Sequence, residues 1–162
     1  MKKKIFIVDD HPMMRDGLAQ MISNESDLSV CGEAENGREA VQFVSELKPD
    51  IVILDVTMPT MSGLEAAEEI AKLRLNSRVL IFTMHDSGSL AKAVRRAGAR
   101  GIVLKSRAAR DLIRAIETLL DGGTFWGPGL GADAEDPKPD GWNMLLFRGS
   151  RLGHGAQLAV TC

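Results

Sequence analysis

The sequence predicts an α/β domain built on a doubly wound, five-stranded parallel sheet, followed by an irregular tail. Three observations carry this. Short apolar runs rich in β-branched residues recur along the chain, as strands buried on both faces require. Stretches of helical period separate them, the alternation that repeated strand and helix units produce. The pattern then stops: nine of the 16 glycines and three of the six prolines lie from Gly122 onward. A domain is therefore expected over residues 1–123, and a Gly/Pro-rich tail with no recognisable second domain over 124–162.

The first strand is Ile5-Phe6-Ile7-Val8, and a helical stripe follows at Met14, Leu18, Met21 and Ile22. Leu28 to Ala34 is more mixed and carries Gly32, which suits an edge strand. Val41, Val44 and Leu47 mark the second helix. Ile51-Val52-Ile53-Leu54 is the third strand, with the third helix at Leu64, Ala67 and Ile70. Val79-Leu80-Ile81-Phe82 is the fourth strand, and Leu90, Ala93, Val94 and Ala97 keep the i, i+3, i+4, i+7 spacing of an amphipathic helix. Ile102-Val103-Leu104 is the fifth strand and, like the first, third and fourth, reads as central. Leu112, Ile113, Ile116, Leu119 and Leu120 draw the widest stripe, ending at Gly122-Gly123. Right-handed crossovers favour an open doubly wound sheet, for which 2-1-3-4-5 is one of two common orders.

Composition narrows the function classes. With 44% hydrophobic and 26% charged residues the chain can bury a core, which excludes wholesale disorder. No run approaches the roughly 18–20 apolar residues that cross a bilayer. Met1-Lys2-Lys3-Lys4 leads into only four apolar residues, too few for a secretory segment, so no membrane association and a cytoplasmic location are expected. Cys31 and Cys162 form neither a disulfide framework nor a zinc signature. A net charge of −2 gives no general attraction to nucleic acid.

Polar residues fall where such a sheet binds ligands, outside the carboxyl ends of its strands. Asp9-Asp10 follow the first strand, Asp55 the third, Thr83 the fourth and Lys105 the fifth. In the 2-1-3-4-5 order the first and third strands are neighbours, so three carboxylates converge. They repel unless a cation intervenes, and oxygen ligands favour magnesium, or manganese, over zinc. A metal, a carboxylate nucleophile, a hydroxyl and a lysine are the parts for phosphoryl transfer to aspartate, with Asp55 attacking in line and Lys105 neutralising oxygens. Neither a Walker loop nor a GxGxxG motif is present, so another molecule must bring the phosphoryl group.

At these residues the chain resembles the receiver domain of two-component response regulators. The match runs through Val8-Asp9-Asp10-His11-Pro12, Asp55-Val56-Thr57-Met58-Pro59, Met61-Ser62-Gly63, Thr83 and Leu104-Lys105-Ser106, over roughly Lys3 to Gly123. Asp-Asp-His-Pro and Gly98-Ala99-Arg100-Gly101 look most like the NarL/FixJ type. The resemblance implies the flavodoxin-like order 2-1-3-4-5 and Asp55 as phosphoacceptor. It implies Asp10, Asp55 and the Thr57 carbonyl as magnesium ligands, with Asp9 acting through water. Lys105 and Thr83 would grip the phosphoryl group, and the donor would be a sensor histidine kinase or a small acyl phosphate. Switching would alter contacts with a protein target or within a homodimer, as the fourth helix and fifth strand repack. Receivers often carry an aromatic residue three before the lysine; here it is Ile102, so an altered readout is expected. The implied chain is a phosphoacceptor that assists its own phosphorylation and dephosphorylation rather than a turnover enzyme.

Other residues take blander readings. His11, followed by Pro12, reads as a loop and capping residue, and His85 as an exposed loop histidine. Met13, Met14 and Met21 read as core filler, and Arg95, Arg96 and Arg100 as a solvated helix face. Regulators of this type usually continue into a helix-turn-helix domain. The 39 residues after Gly123 show no basic recognition helix, so no specific DNA binding by this chain is expected. The tail is either natural, disordered or lightly docked through Trp126, Trp142 and Phe147, or the product of a truncation or frame change in a DNA-binding regulator. A phosphoaspartyl-type phosphohydrolase ranks last, because that pattern needs a second aspartate where Thr57 stands.

Overall fold

The computed structural model describes residues 1–85 and 87–127. Its elements run β1 (Lys3–Val8), α1 (Pro12–Ser23), β2 (Leu28–Ala34), α2 (Gly37–Leu47), β3 (Ile51–Asp55), α3 (Gly63–Lys72), β4 (Arg78–Thr83), α4 (Gly88–Arg96), β5 (Gly101–Leu104), a 3₁₀ turn (Lys105–Arg107) and α5 (Ala108–Leu120). The five strands pair in parallel in the order β2-β1-β3-β4-β5, as expected.

Both sheet faces are covered, which is why the central strands are apolar at successive positions rather than at alternate ones. Ile5, Ile7, Ile53, Leu80, Phe82 and Val103 pack against α1 and α5, on Leu18, Ile22, Leu112, Ile116 and Leu119. Phe6, Val8, Val52, Leu54, Ile81 and Ile102 face α2, α3 and α4, on Ala40, Val44, Ala67, Ile70, Ala91 and Val94. Burying a side chain the size of Phe6 or Phe82 contributes about 1.5–3 kcal/mol, so the two layers hold the strand ends rigidly.

One strand differs from its reading. β5 is an edge strand, not a central one. Its apolar run survives there because the chain after α5 covers the free side: the Phe125 carbonyl accepts from Ile102 N–H at 2.7 Å, and Phe125 N–H donates to the Arg100 carbonyl at 3.1 Å. Trp126 is buried in the core facing α4, so packing continues past Gly123. The expectations for Trp142, Phe147, Cys162 and the rest of the tail lie outside the described residues.

Met13 is also corrected: it is 87% exposed, while Met14 and Met21 are partly buried against the core. The stripe of α1 points Leu18 and Ile22 inward, and Met13 falls on the far side of the helix.

Candidate functional site at the carboxyl ends of the strands

Asp9 follows β1, Asp55 closes β3, Thr83 closes β4 and Lys105 follows β5. Val8 lies opposite Leu54 and Thr83 opposite Leu104, so these four side chains leave one end of the sheet side by side. Lys105 Nζ donates to Asp9 Oδ2 at 2.8 Å and stands 3.3 Å from Asp55 Oδ2. All three side chains are buried, with an ammonium group shared between two carboxylates.

Local sequence explains how the loops are held. Asp9 is tied down by Arg15, one turn into α1, whose Nη1 donates to the Asp9 carbonyl at 2.7 Å. The same guanidinium reaches Glu33 at 3.1 Å and Glu35 at 3.3 Å, which anchors the β1–α1 loop to β2. Beyond Asp55 the chain turns back sharply: Thr57 N–H donates to Asp55 Oδ1 at 3.4 Å, and Gly63 N–H donates to the Val56 carbonyl at 2.9 Å. Ser62 and Glu65 form a capping box that starts α3. A Cβ on Gly63 would strike the carbonyl of Asp55, so only glycine lets α3 begin so close to the end of β3.

The charges do not share their environment equally. Burial pushes Asp9 up, but the hydrogen bonds from Lys105 and from the backbone N–H and ring of His11 outweigh it and hold the carboxyl below its ordinary value. Asp55 sits above its ordinary value, first through burial and then through repulsion by Asp9, with Lys105 offsetting only part of this. Burial works against the Lys105 ammonium, yet the hydrogen bond to Asp9 and the charge of Asp55 raise it overall. Asp55, the less stabilised anion, thus gains most from any further cation.

His11 is where the blander reading fails. It occupies the cap position of α1, but its side chain makes no capping bond. Nδ1 stands 2.9 Å from Oδ1 of both Asp9 and Asp10, and its basicity is raised first by the Asp9 hydrogen bond and then by the charge of Asp10. Only the Asp9 contact has hydrogen-bond geometry; Asp10 Oδ1 is left buried without a hydrogen-bond partner among the described residues. Ligand atoms of Asp9, Asp10, His11 and Asp55 all lie within 4.8 Å of one another. An orphaned acceptor among crowded carboxylates fits a hard divalent cation such as magnesium.

Thr83 is buried, and its hydroxyl accepts from the His85 N–H at 3.2 Å. His85 is exposed, as read. Thr57 is exposed beside Asp55. Ile102 does not join the cluster: it lies two residues earlier on β5, buried in the core facing α4. Arg95 is not a solvated residue, since its guanidinium stacks on Trp126 at 4.1 Å. Sequence reasoning missed Arg15; its position four residues after the cap of α1, on the turn facing β2, was the available signal.

With this geometry in place, the comparisons are direct. A family model described as the response regulator receiver domain matches residues 5–117. The nitrate/nitrite response regulator NarL of Escherichia coli K12 is 35% identical over 118 residues, 73% of this chain and 55% of that protein. The transcriptional regulatory protein YdfI of Bacillus subtilis is 35% identical over 127 residues, 78% of this chain and 59% of its own length. The chain therefore spans about half the length of the curated relatives it matches. Among solved structures, a LuxR-family two-component response regulator from Aurantimonas sp. SI85-9A1 superposes with a TM-score of 0.76 at 37% identity, over 80% of this chain and 93% of that one. The receiver of the putative response regulator NarL from Mycobacterium tuberculosis gives 0.72 at 30% identity, over 75% and 98%. Fold, acidic cluster and relatives agree, and the chain belongs to the response regulator receiver domain family of two-component systems, among receivers of the NarL/LuxR type.

Proposed function

We propose that Asp55 accepts a phosphoryl group and that the chain is thereby a signalling switch. The observation that carries this is the placement of Lys105 Nζ between the buried carboxylates of Asp9 and Asp55. In the step itself an Asp55 carboxylate oxygen forms the new bond to phosphorus as the donor's bond breaks. The leaving group is the imidazole of a sensor kinase phosphohistidine, which keeps the bonding pair and takes a proton, or the carboxylate of an acyl phosphate. Lys105 neutralises a phosphoryl oxygen, and Thr83 offers its hydroxyl to another. Asp10, Asp55 and the Thr57 carbonyl, with Asp9 through water, would hold magnesium or manganese, which when bound would supply the remaining positive charge. Asp9 is the more stabilised anion and Asp55 the less, an asymmetry that supports Asp9 as the anchor of Lys105 and Asp55 as the nucleophile.

On this reading the protein acts in the cytoplasm as a phosphoacceptor assisting its own phosphorylation and dephosphorylation, and its message passes through contacts with a target or a second copy. No described helix is long and apolar enough to cross a membrane. A second reading is favoured by the relatives named as transcriptional regulators, which are nearly twice the matched length: the chain is the receiver part of a regulator whose intact form binds DNA. Hydrolysis of phosphate esters is the least supported activity, because Thr57 stands where a second aspartate is needed.

Intact-mass measurement after incubation with acetyl phosphate and magnesium tests the proposal. Wild type should gain the mass of one phosphoryl group and Asp55→Asn should gain none. An equal gain in the variant would move the acceptor elsewhere.

A further inference from the structure

The chain leaves α5 on one face of the sheet and reaches the other within a few residues. Phe125 packs on the core facing α1 and α5, 5.7 Å below the Arg114 guanidinium. Trp126 comes down on the opposite face, only 7% exposed, in the core that holds Ile102, Val94 and Ala97. Between them the backbone of Phe125 bridges Arg100 and Ile102 across Gly101. A Cβ at Gly101 would lie 2.6 Å from the Phe125 carbonyl oxygen, so the close approach depends on that glycine. The segment straps the free edge of β5, one aromatic ring to each face.

Two features separate this strap from ordinary packing. It touches both elements beside the phosphoacceptor end: β5 through Ile102, two residues before the Leu104 that pairs with Thr83, and α4 through Arg95 on the indole. It is also polar-deficient. Arg95 Nε and Nη2, the two donors on the edge with which a guanidinium holds a carboxylate, are buried and make no hydrogen bond among the described residues, and the same holds for Trp126 Nε1. Shielded donors without acceptors destabilise an arrangement, so this stack is held less firmly than one whose guanidinium is fully hydrogen-bonded. Ile102 itself is aliphatic and fully buried. The aromatic ring that meets α4 is that of Trp126, stacked under Arg95.

We infer that Trp126 is a positioning residue that couples the site to the C-terminal segment. When Thr83 is drawn towards a phosphoryl group on Asp55, α4 and β5 repack, Arg95 releases the indole, and Trp126 turns towards solvent. This rests on the phosphoacceptor reading above, and its test separates the two.

The protein has two tryptophans, so Trp142→Phe leaves Trp126 as the sole indole. In that full-length protein, acetyl phosphate with magnesium should shift the emission to the red and raise acrylamide quenching severalfold, in step with the phosphoryl mass gain. Arg95→Ala should show the shifted spectrum before any phosphate is added while still gaining the mass. Arg95→Lys keeps the charge without the planar stack and should fall between them. Asp55→Asn should show no response. Full mass gain with unchanged emission overturns the coupling and leaves the phosphoacceptor intact; absence of mass gain overturns the phosphoacceptor and the coupling with it.

Discussion

The two ends of the sheet treat polar groups in opposite ways. At the amino ends of the strands, backbone and side-chain groups close structural bonds between neighbouring segments. Asp50 accepts Lys4 N–H at 2.7 Å, Lys4 Nζ reaches the Leu47 carbonyl at 2.5 Å, and the Ser77 hydroxyl reaches the Pro49 carbonyl at 2.5 Å. At the carboxyl ends, Asp9 and Asp55 share one ammonium, and Asp10 Oδ1 has no hydrogen-bond partner among the described residues. One end spends its polarity on holding the fold; the other keeps like charges in a buried cluster. Substitutions at the two ends should therefore separate stability from phosphate acceptance.

Lys105→Met should have the largest effect. It leaves two buried carboxylates without their counter-ion, and breaking a pair of this kind costs about 3–5 kcal/mol. Urea midpoints in chelator should fall accordingly, and magnesium should recover a large part of the loss. Phosphate acceptance should be slowed strongly even in folded protein. A variant as stable as wild type without metal would show that Lys105 does not compensate the cluster. Next in size is Gly63→Ala, where the added methyl meets the Asp55 carbonyl. Overpacking typically costs about 1–3 kcal/mol, and here the displacement falls on the phosphoacceptor strand end. Both stability and phosphoryl mass gain should drop, whereas Gly17→Ala, at a position with no atom within 4 Å of the added methyl, should leave phosphate acceptance unchanged.

These contrasts show what could be read in advance. Strand ends were legible because β1, β3 and β4 are buried on both faces, so Asp9, Asp55 and Thr83 stand out as the first polar groups after apolar runs. Lys105 was legible for the same reason. The edge position of β5 was not, since the partner that keeps its run apolar is a single residue, Phe125, beyond the last helix. Arg15 escaped because its carboxylate partners, Glu33 and Glu35, lie at the end of a neighbouring strand, and His11 because the pairing of its ring with Asp9, two residues back, depends on how the loop folds rather than on any periodicity. Arg95 looked solvated because the periodicity of α4 places it off the apolar stripe, and only the strap brings Trp126 beneath it. Periodicity reports burial by the sheet, not burial by a returning chain.

At the structural end, Ser77→Ala removes the hydroxyl that reaches the Pro49 carbonyl and should cost about 1 kcal/mol. Phosphoryl mass gain should be unaltered, because the bond lies at the opposite end of β4 from Thr83. Slower acceptance in this variant would mean that the ends are coupled through the strand, and the division drawn above would fail.

The smallest effect should come from Asp55→Asn, and its sign is opposite to that of Lys105→Met. Asp55 is raised above its unfolded value of about 3.9. Its contribution to stability is therefore fully present below that value and is lost as pH rises through the folded one, so in metal-free neutral buffer the ionised group works against folding. Asn removes that penalty but also gives up the attraction of Lys105 at 3.3 Å, which keeps the net gain under about 1 kcal/mol. Asp9 behaves in the reverse sense, being lowered, and its contribution is lost only as pH falls through its depressed value. The stability gap between variant and wild type should then widen as pH rises from acid towards neutral and level off once Asp55 is ionised. Saturating magnesium should shrink or invert it, because the cation repays wild type for the charge that Asn lacks. A gap that narrows with rising pH in chelator would show that Asp55, not Asp9, is the carboxylate stabilised by Lys105, and the roles of anchor and nucleophile would have to be exchanged.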